Sequence, residues 1–286
     1  MNVREPVVAG MFYPGSAREC TREIEACLAA VELPEESLDL VGGIVPHAGW
    51  TYSAATAAYV FAALADAEPE TVVFFGAVHM WGVPDASVYA AGAWRTPLGD
   101  VVVDAELAQA IMEDTKFVHN EPAAHAQEHS IEVQLPFVRH LLPSARIVPI
   151  AMPPIAESVT VGRAVAQAVQ RLGRRVAVIG SSDLTHYGPR YGMTPAGTGE
   201  AALEWAHDND RRVLALVETL DAEGVLREVR AHHNACGAGA VAATLAYAAA
   251  AGATRGVLLD YTTSHEVMPM GEPRDLVGYG AVALVR

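Results

Sequence analysis

The strongest constraint on the fold is that short, uncharged apolar runs alternate with segments of helical period, and three of those runs stop at a titratable side chain. Leu40 to Val45 runs through Pro46 into His47. Thr71 to Phe75 runs through Gly76 and Val78 into His79. Arg175 to Gly180 runs through two serines into Asp183, with His186 three residues later. Runs that are apolar throughout, rather than at alternate positions, suit strands covered on both faces of a parallel sheet. The alternation predicts an α/β fold, a three-layer α/β/α sandwich with a mostly parallel central sheet. One antiparallel excursion is expected at 83–103, a hairpin broken by Gly92, Pro97 and Gly99. No linker or convincing repeat interrupts the chain, so one domain over 1–286 is expected.

The predicted helices carry their own start signals. Ser16 and Glu19 read as a capping box, followed by Cys20, Ile24, Cys27, Leu28 and Val31 on one face. Further helices are expected over 52–65, from the cap Asp104 to Asp114, over 128–142 with an interruption at Pro136, over 157–172, over 200–229 in two or three pieces, and over the Ala-rich 236–251. Strands are expected at 146–151, 255–261 and 280–285.

Charge and cysteine use exclude several classes. With 34 acidic and 19 basic residues the formal net charge is −15, which argues against a nucleic-acid partner. Three cysteines, Cys20, Cys27 and Cys236, do not make a disulfide framework. The uncharged stretch from Ala235 to Thr254 is mostly Ala and Gly and reads as a buried helix rather than a membrane span. The first ten residues lack an apolar signal core, so a cytoplasmic location is expected.

Ligands of open α/β sheets bind beyond the carboxyl ends of the strands. His47, His79, Asp183 and His186 are delivered to that edge. Cys236, at the expected start of the Ala-rich helix, sits where a helix N-terminus favours thiolate. Two imidazoles and a thiolate would make a three-ligand metal site with an open position. Taken singly, each residue has a plainer reading: a loop histidine, a small buried cysteine, a turn-capping aspartate. A competing pattern is His125, Glu128 and His129, H-x-x-E-H, the inverted zinc-protease signature. That chemistry needs a continuous helix, and Pro122 and Pro136 crowd the segment. Glu128, His129 and Glu132 instead suit a second shell that orients a ligand. Trp50, Met80 and Trp81, close to the two histidines, are expected to line the pocket. His119, His140 and His207 read as surface residues.

These segments together identify a resemblance. PHAGWTYS (46–53), VH (78–79), RTPLGD (95–100), EHSIEVQLPF (128–137), SSDLTHYG (181–188) and HHNACGAGA (232–240) resemble the Memo family, and within it the AmmeMemoRadiSam system protein B group. That family is similar in fold to class III extradiol dioxygenases, which hold Fe(II) with two histidines and a glutamate. The resemblance implies that His47, His79 and Cys236 are the corresponding ligands, with cysteine in place of the carboxylate, and that His186 is the acid/base beside Asp183. Around the second ligand the chain departs from the family's Pro-Ser-His-His-like run and reads Ala77-Val78-His79-Met80, which keeps the ligand and changes its neighbours. The resemblance further implies iron, with copper or zinc as alternatives, and association with a radical-SAM protein and an AMMECR-like protein.

Two functions follow as expectations. The first is a metal-dependent redox or oxygenase-type protein, in which His186 moves protons while Asp183 and Glu128 orient the pocket. The second is a module that binds a peptide or protein in a degenerate dioxygenase-like pocket.

Overall fold

The computed structural model describes residues 2–34 and 38–286. In chain order the strands are β1 (Val3–Arg4), β2 (Leu40–Val45), β3 (Thr71–Gly76), β4 (Ala86–Val88), β5 (Ala93–Thr96), β6 (Gly99–Val102), β7 (Val118–Asn120), β8 (Arg146–Ala151), β9 (Val176–Ser181), β10 (His186–Tyr187), β11 (Arg255–Thr263) and β12 (Leu276–Val285). The helices are α1 (Ala17–Ala29), α2 (Trp50–Ala67), α3 (Ala105–Asp114), α4 (Leu135–Leu141), α5 (Ser158–Leu172), α6 (Glu200–Glu218), α7 (Ala222–His232), α8 (Ala238–Ala250) and α9 (Ser264–Val267).

The main sheet has nine strands in the order β10-β12-β2-β9-β3-β8-β4-β7, with β11 also on β12. Its centre is the expected parallel set: β2 beside β9, β9 beside β3, and β3 beside β8. The flanks differ from expectation. The antiparallel part is not one excursion, because β12 runs antiparallel to β2, β11 and β10, and β4 runs antiparallel to β8. The 83–103 segment also divides. Its first strand, β4, joins the main sheet, while β5 and β6 form the hairpin, with β1 alongside β5 in a second, three-stranded sheet.

Period-two alternation along the central strands builds two cores. Val73, Phe75, Val148 and Ile150 face α3, α5, α6, α7 and α8, whereas Val72, Phe74, Ile147 and Ile179 face α1, α2 and α4. Each such side chain, fully buried, contributes roughly 1.5–3 kcal/mol. Small residues set how closely one helical layer packs. A Cβ on Gly162 of α5 would stand 2.1 Å from the Ala243 carbonyl oxygen of α8, so glycine alone permits that approach. Among the described residues no helix is long and apolar enough to cross a membrane.

The expected helix over 128–142 is shorter. A 3-10 turn covers Glu132–Gln134, and α4 begins at Leu135 with Pro136 in its first turn, where a missing N–H costs nothing. Residues 128–131 are held otherwise. The Glu128 carboxylate accepts from the backbone N–H groups of His129 and Ser130, both at 2.9 Å, in place of a helical ladder.

Candidate metal centre

His47 leaves the end of β2, His79 follows β3, and Asp183 follows β9, so neighbouring parallel strands deliver all three to one edge. Cys236 arrives from the opposite direction, on the turn between α7 and α8. It is not at the helix start as expected but two residues before α8, with Gly237 as the cap residue. The turn is pinned to the end of β9. Cys236 N–H donates to the Asp183 carbonyl at 3.2 Å, and Gly237 N–H donates to Ser182 Oγ at 2.9 Å. A Cβ on Gly237 would lie 2.5 Å from the Ser181 carbonyl oxygen, so only glycine lets the turn sit this close.

One ligand atom each from His47, His79 and Cys236 lies within 4.8 Å of the other two. Hydrogen bonding decides which imidazole nitrogens are left available. The Ser181 hydroxyl spends its proton on the Ser130 carbonyl at 2.7 Å, so it accepts from His47 Nδ1–H at 3.0 Å. His47 Nε2 is left with its lone pair, 3.2 Å from Cys236 Sγ. His79 Nδ1–H donates to the Glu128 carboxylate at 3.0 Å, which frees His79 Nε2 in the same way. A carboxylate on the far nitrogen of a ligating histidine is the usual device for fixing tautomer and orientation at metal sites. Gln134 Nε2 donates to the Pro46 carbonyl at 2.7 Å and steadies the approach to His47.

Electrostatics treat the two imidazoles differently: they favour neutral His47 and proton-holding His79, whose proton on Nε2 a metal would displace. Burial, reinforced by His79 and His129, pushes the His47 pKa well below the usual histidine value. Burial also works against charged His79, but the hydrogen bond and charge of Glu128 prevail and raise it. Glu128 is held below the carboxylate range: burial opposes this, and the His79 contacts and backbone N–H donors outweigh it. Burial and the nearby Asp183 raise the Cys236 thiol, contrary to the thiolate expected from a helix N-terminus. A metal cation at the three ligand atoms would supply the positive charge that the helix does not. Softness of sulfur with two imidazoles suits iron, copper or zinc better than magnesium or calcium.

Asp183 is buried and its Oδ1 accepts from the backbone N–H groups of His47 at 2.6 Å and Ala48 at 3.2 Å, so it ties the β9 end to the β2 end. Burial raises its pKa. His186 lies in β10 rather than on a loop. Its Nδ1–H donates to the Leu184 carbonyl at 3.0 Å, which leaves Nε2 free, and its ring meets Tyr191 edge-on. His129 stacks on His79 with centroids 4.8 Å apart and stands edge-on to His47 at 5.6 Å. His129 therefore packs directly on both candidate ligands, while Glu128 holds the far nitrogen of His79.

A cavity of about 670 Å³ opens over these groups, lined by His47, His79, His129, Asp183 and His186 together with Phe12, Tyr52, Arg190, Tyr191, Met268, Arg274 and Tyr279. The aromatic and charged lining was not read from sequence, because it is assembled from separate segments: Phe12 before α1, Tyr52 in α2, Arg190 and Tyr191 after β10, and Met268, Glu272, Arg274, Asp275 and Tyr279 from α9 to β12. The three residues expected to line the pocket do not. Trp50 is buried at the start of α2, donating its indole N–H to the Val133 carbonyl at 3.0 Å and packing on Phe137. Met80 and Trp81 line a separate cavity with Pro84 and His119, and Trp81 is 99% exposed.

H-x-x-E-H does not bring its own three residues together: Glu128 and His129 converge instead with His79, one ligand atom of each within 4.8 Å of the others, and His125 is not among them. His125 is fully buried, its Nε2 at 2.8 Å from the Ser87 carbonyl, between Tyr89 and Trp94. It is thus a core residue and not a loop histidine. Glu132, expected near the ligands, pairs with buried Arg4 at 2.7 Å and accepts from Tyr13 OH. His207, expected at the surface, is partly buried against Tyr261.

A Memo-like protein family profile matches residues 4–283. MEMO1 family proteins of Methanopyrus kandleri and Pyrococcus abyssi are each 37% identical over 99% of this chain, covering 99% and 100% of their own lengths. One from Nitrosopumilus maritimus is 34% identical over 99% of this chain and 100% of its own. The crystal structure of an uncharacterized protein from Escherichia coli K12 aligns with a TM-score of 0.48 at 14% identity, over 76% of this chain and 86% of that one.

Proposed function

The chain belongs to the Memo family, and on that premise we propose that it binds a transition-metal ion, redox-active iron before copper or redox-inert zinc, through His47 Nε2, His79 Nε2 and Cys236 Sγ. The observation that carries this reading is the convergence of three ligand atoms within 4.8 Å, with both histidine Nδ1 atoms already committed to Ser181 and Glu128. Such an ion supplies electron transfer or activation of a bound small molecule.

The chain's own residues do the rest. Glu128 and Ser181 hold the two rings in orientation. Asp183 locks the strand ends together. His186, with Nε2 unengaged, is the group placed to take or give a proton to a molecule in the cavity. His129 faces the same space and, kept neutral by burial, offers a second imidazole there.

The test is metal analysis of protein purified without an affinity tag, followed by oxygen uptake with a panel of catechols. Stoichiometric iron that is lost on substitution of the three ligands supports the reading. A metal-free protein that takes up no added iron, copper or zinc refutes it. In the second reading the same cavity takes a peptide, and the apolar lining of Tyr52, Tyr191 and Met268, with charges of both signs in Arg190, Arg274, Glu272 and Asp275, favours it. Peptide binding undiminished in a ligand-free variant would support that reading.

A further inference from the structure

A cavity of about 660 Å³ lies between α7, the start of α8 and the 153–156 segment after β8. Its residues sort into two kinds. Ile155, Leu226, Val229 and Ala238 make an apolar floor continuous with the core around α7 and α8. Arg227, Arg230 and His233 stand at its exposed rim.

The charge of this rim runs against that of the molecule, whose net is −15. Only Glu223 opposes it among the lining residues. Arg227 reaches Glu223 and Asp221 at 3.8 Å each, too far for hydrogen bonds, so its donors stay available. Helical spacing explains the arrangement. Glu223, Leu226, Arg227 and Arg230 fall on one face of α7, and His233 ends that helix in a left-handed conformation at φ 52°. An apolar floor of this size with guanidinium groups at its edge matches a ligand that has an apolar body and an anionic head.

We propose that this cavity is a second binding site, separate from the metal centre, for a small amphipathic carboxylate, with the alkyl body on Ile155, Leu226 and Val229 and the carboxylate between Arg227 and Arg230. The site shares a wall with the metal centre. His233 and Ala238 line this cavity, and Cys236 between them turns its sulfur to His47 on the other side. Occupancy would therefore be felt in the segment that carries the cysteine.

The test uses decanoate, held below the concentration at which it forms micelles, with the intact protein, followed by titration calorimetry. Acetate carries the charge without the body, and decanol carries the body without the charge. Saturable one-to-one binding of decanoate is expected, with acetate and decanol each weaker by about tenfold or more. The Arg227→Gln, Arg230→Gln double variant changes only exposed side chains, and it should lose at least about tenfold in decanoate affinity. Leu226→Asn should weaken decanoate as well. Absence of saturable decanoate binding, or equal binding by wild type and the double arginine variant, would overturn the proposal. Because none of these residues touches His47, His79 or Cys236, either result leaves the metal reading to its own test.

Discussion

Cys236 Sγ lies 3.2 Å from His47 Nε2 across a separation of 189 residues in the chain. The contact joins a strand end to the turn before α8, and it exists because Gly237 allows that turn to rest on Ser181. A raised thiol pKa beside an imidazole lone pair describes a neutral thiol next to a neutral acceptor, both of which a cation would engage.

Cys236→Ser replaces a potential thiolate by a hydroxyl that stays protonated near neutrality. Metal affinity should fall by more than the 10–100-fold that loss of an outer-sphere partner typically costs. Equilibrium dialysis with iron(II) or zinc, in wild type and variant, reads the change. Unaltered affinity would remove Cys236 from the ligand set.

Glu128→Gln keeps an acceptor for His79 Nδ1–H but removes the charge. The expected loss in metal affinity is about 10–100-fold. Ser181→Ala should act in the same direction by freeing the His47 ring. Circular dichroism of both variants should match wild type, which separates a ligand-orienting effect from unfolding.

His125 contributes to the acid sensitivity of the fold, alongside His47, His129 and Glu128, whose pKa values are also lowered. Burial lowers its pKa to about 4, whereas an exposed histidine titrates at 6.5. As pH falls below 6.5 the unfolded chain takes up a proton that the folded chain refuses, so stability falls progressively until about pH 4. The full window is worth roughly 3 kcal/mol. His125→Gln retains a donor for Ser87 and does not titrate, so urea unfolding between pH 7 and 4.5, in chelator, should show a shallower loss than in wild type. His125→Ala should leave bound metal unchanged while costing about 2–4 kcal/mol, because it empties space between Tyr89 and Trp94. Loss of metal in either variant would contradict this placement.

His186→Ala should retain metal and lower any metal-dependent turnover by about 10²–10⁴-fold. Metal analysis and single-turnover assay on the same preparation separate the two effects. Metal loss would make His186 a ligand rather than an acid/base group.

The central strands and the residues at their ends are legible in sequence because each is a local pattern: an unbroken apolar run, then a titratable side chain. β4, β7 and β10 are two or three residues long and carry no period to detect. The β12–β2 pairing is non-local, so its antiparallel sense is invisible until the chain closes. Helix pattern over 128–142 misleads because Glu128 satisfies its own neighbours' N–H groups. Trp50 sits beside His47 in sequence, yet the first turn of α2 points it into the core. Ser181 is undistinguished among two serines before Asp183, and only the Ser130 carbonyl, 51 residues away, gives its hydroxyl a direction.

A crystal structure of the protein loaded with iron, with the metal identified by anomalous scattering at the iron edge, tests the ligand set itself. One strong peak is expected, bonded to His47 Nε2, His79 Nε2 and Cys236 Sγ, with Glu128 still on His79 Nδ1 and His186 not coordinating. A peak held by His79, Glu128 and His129 without Cys236, or no peak at this edge of the sheet, would contradict it.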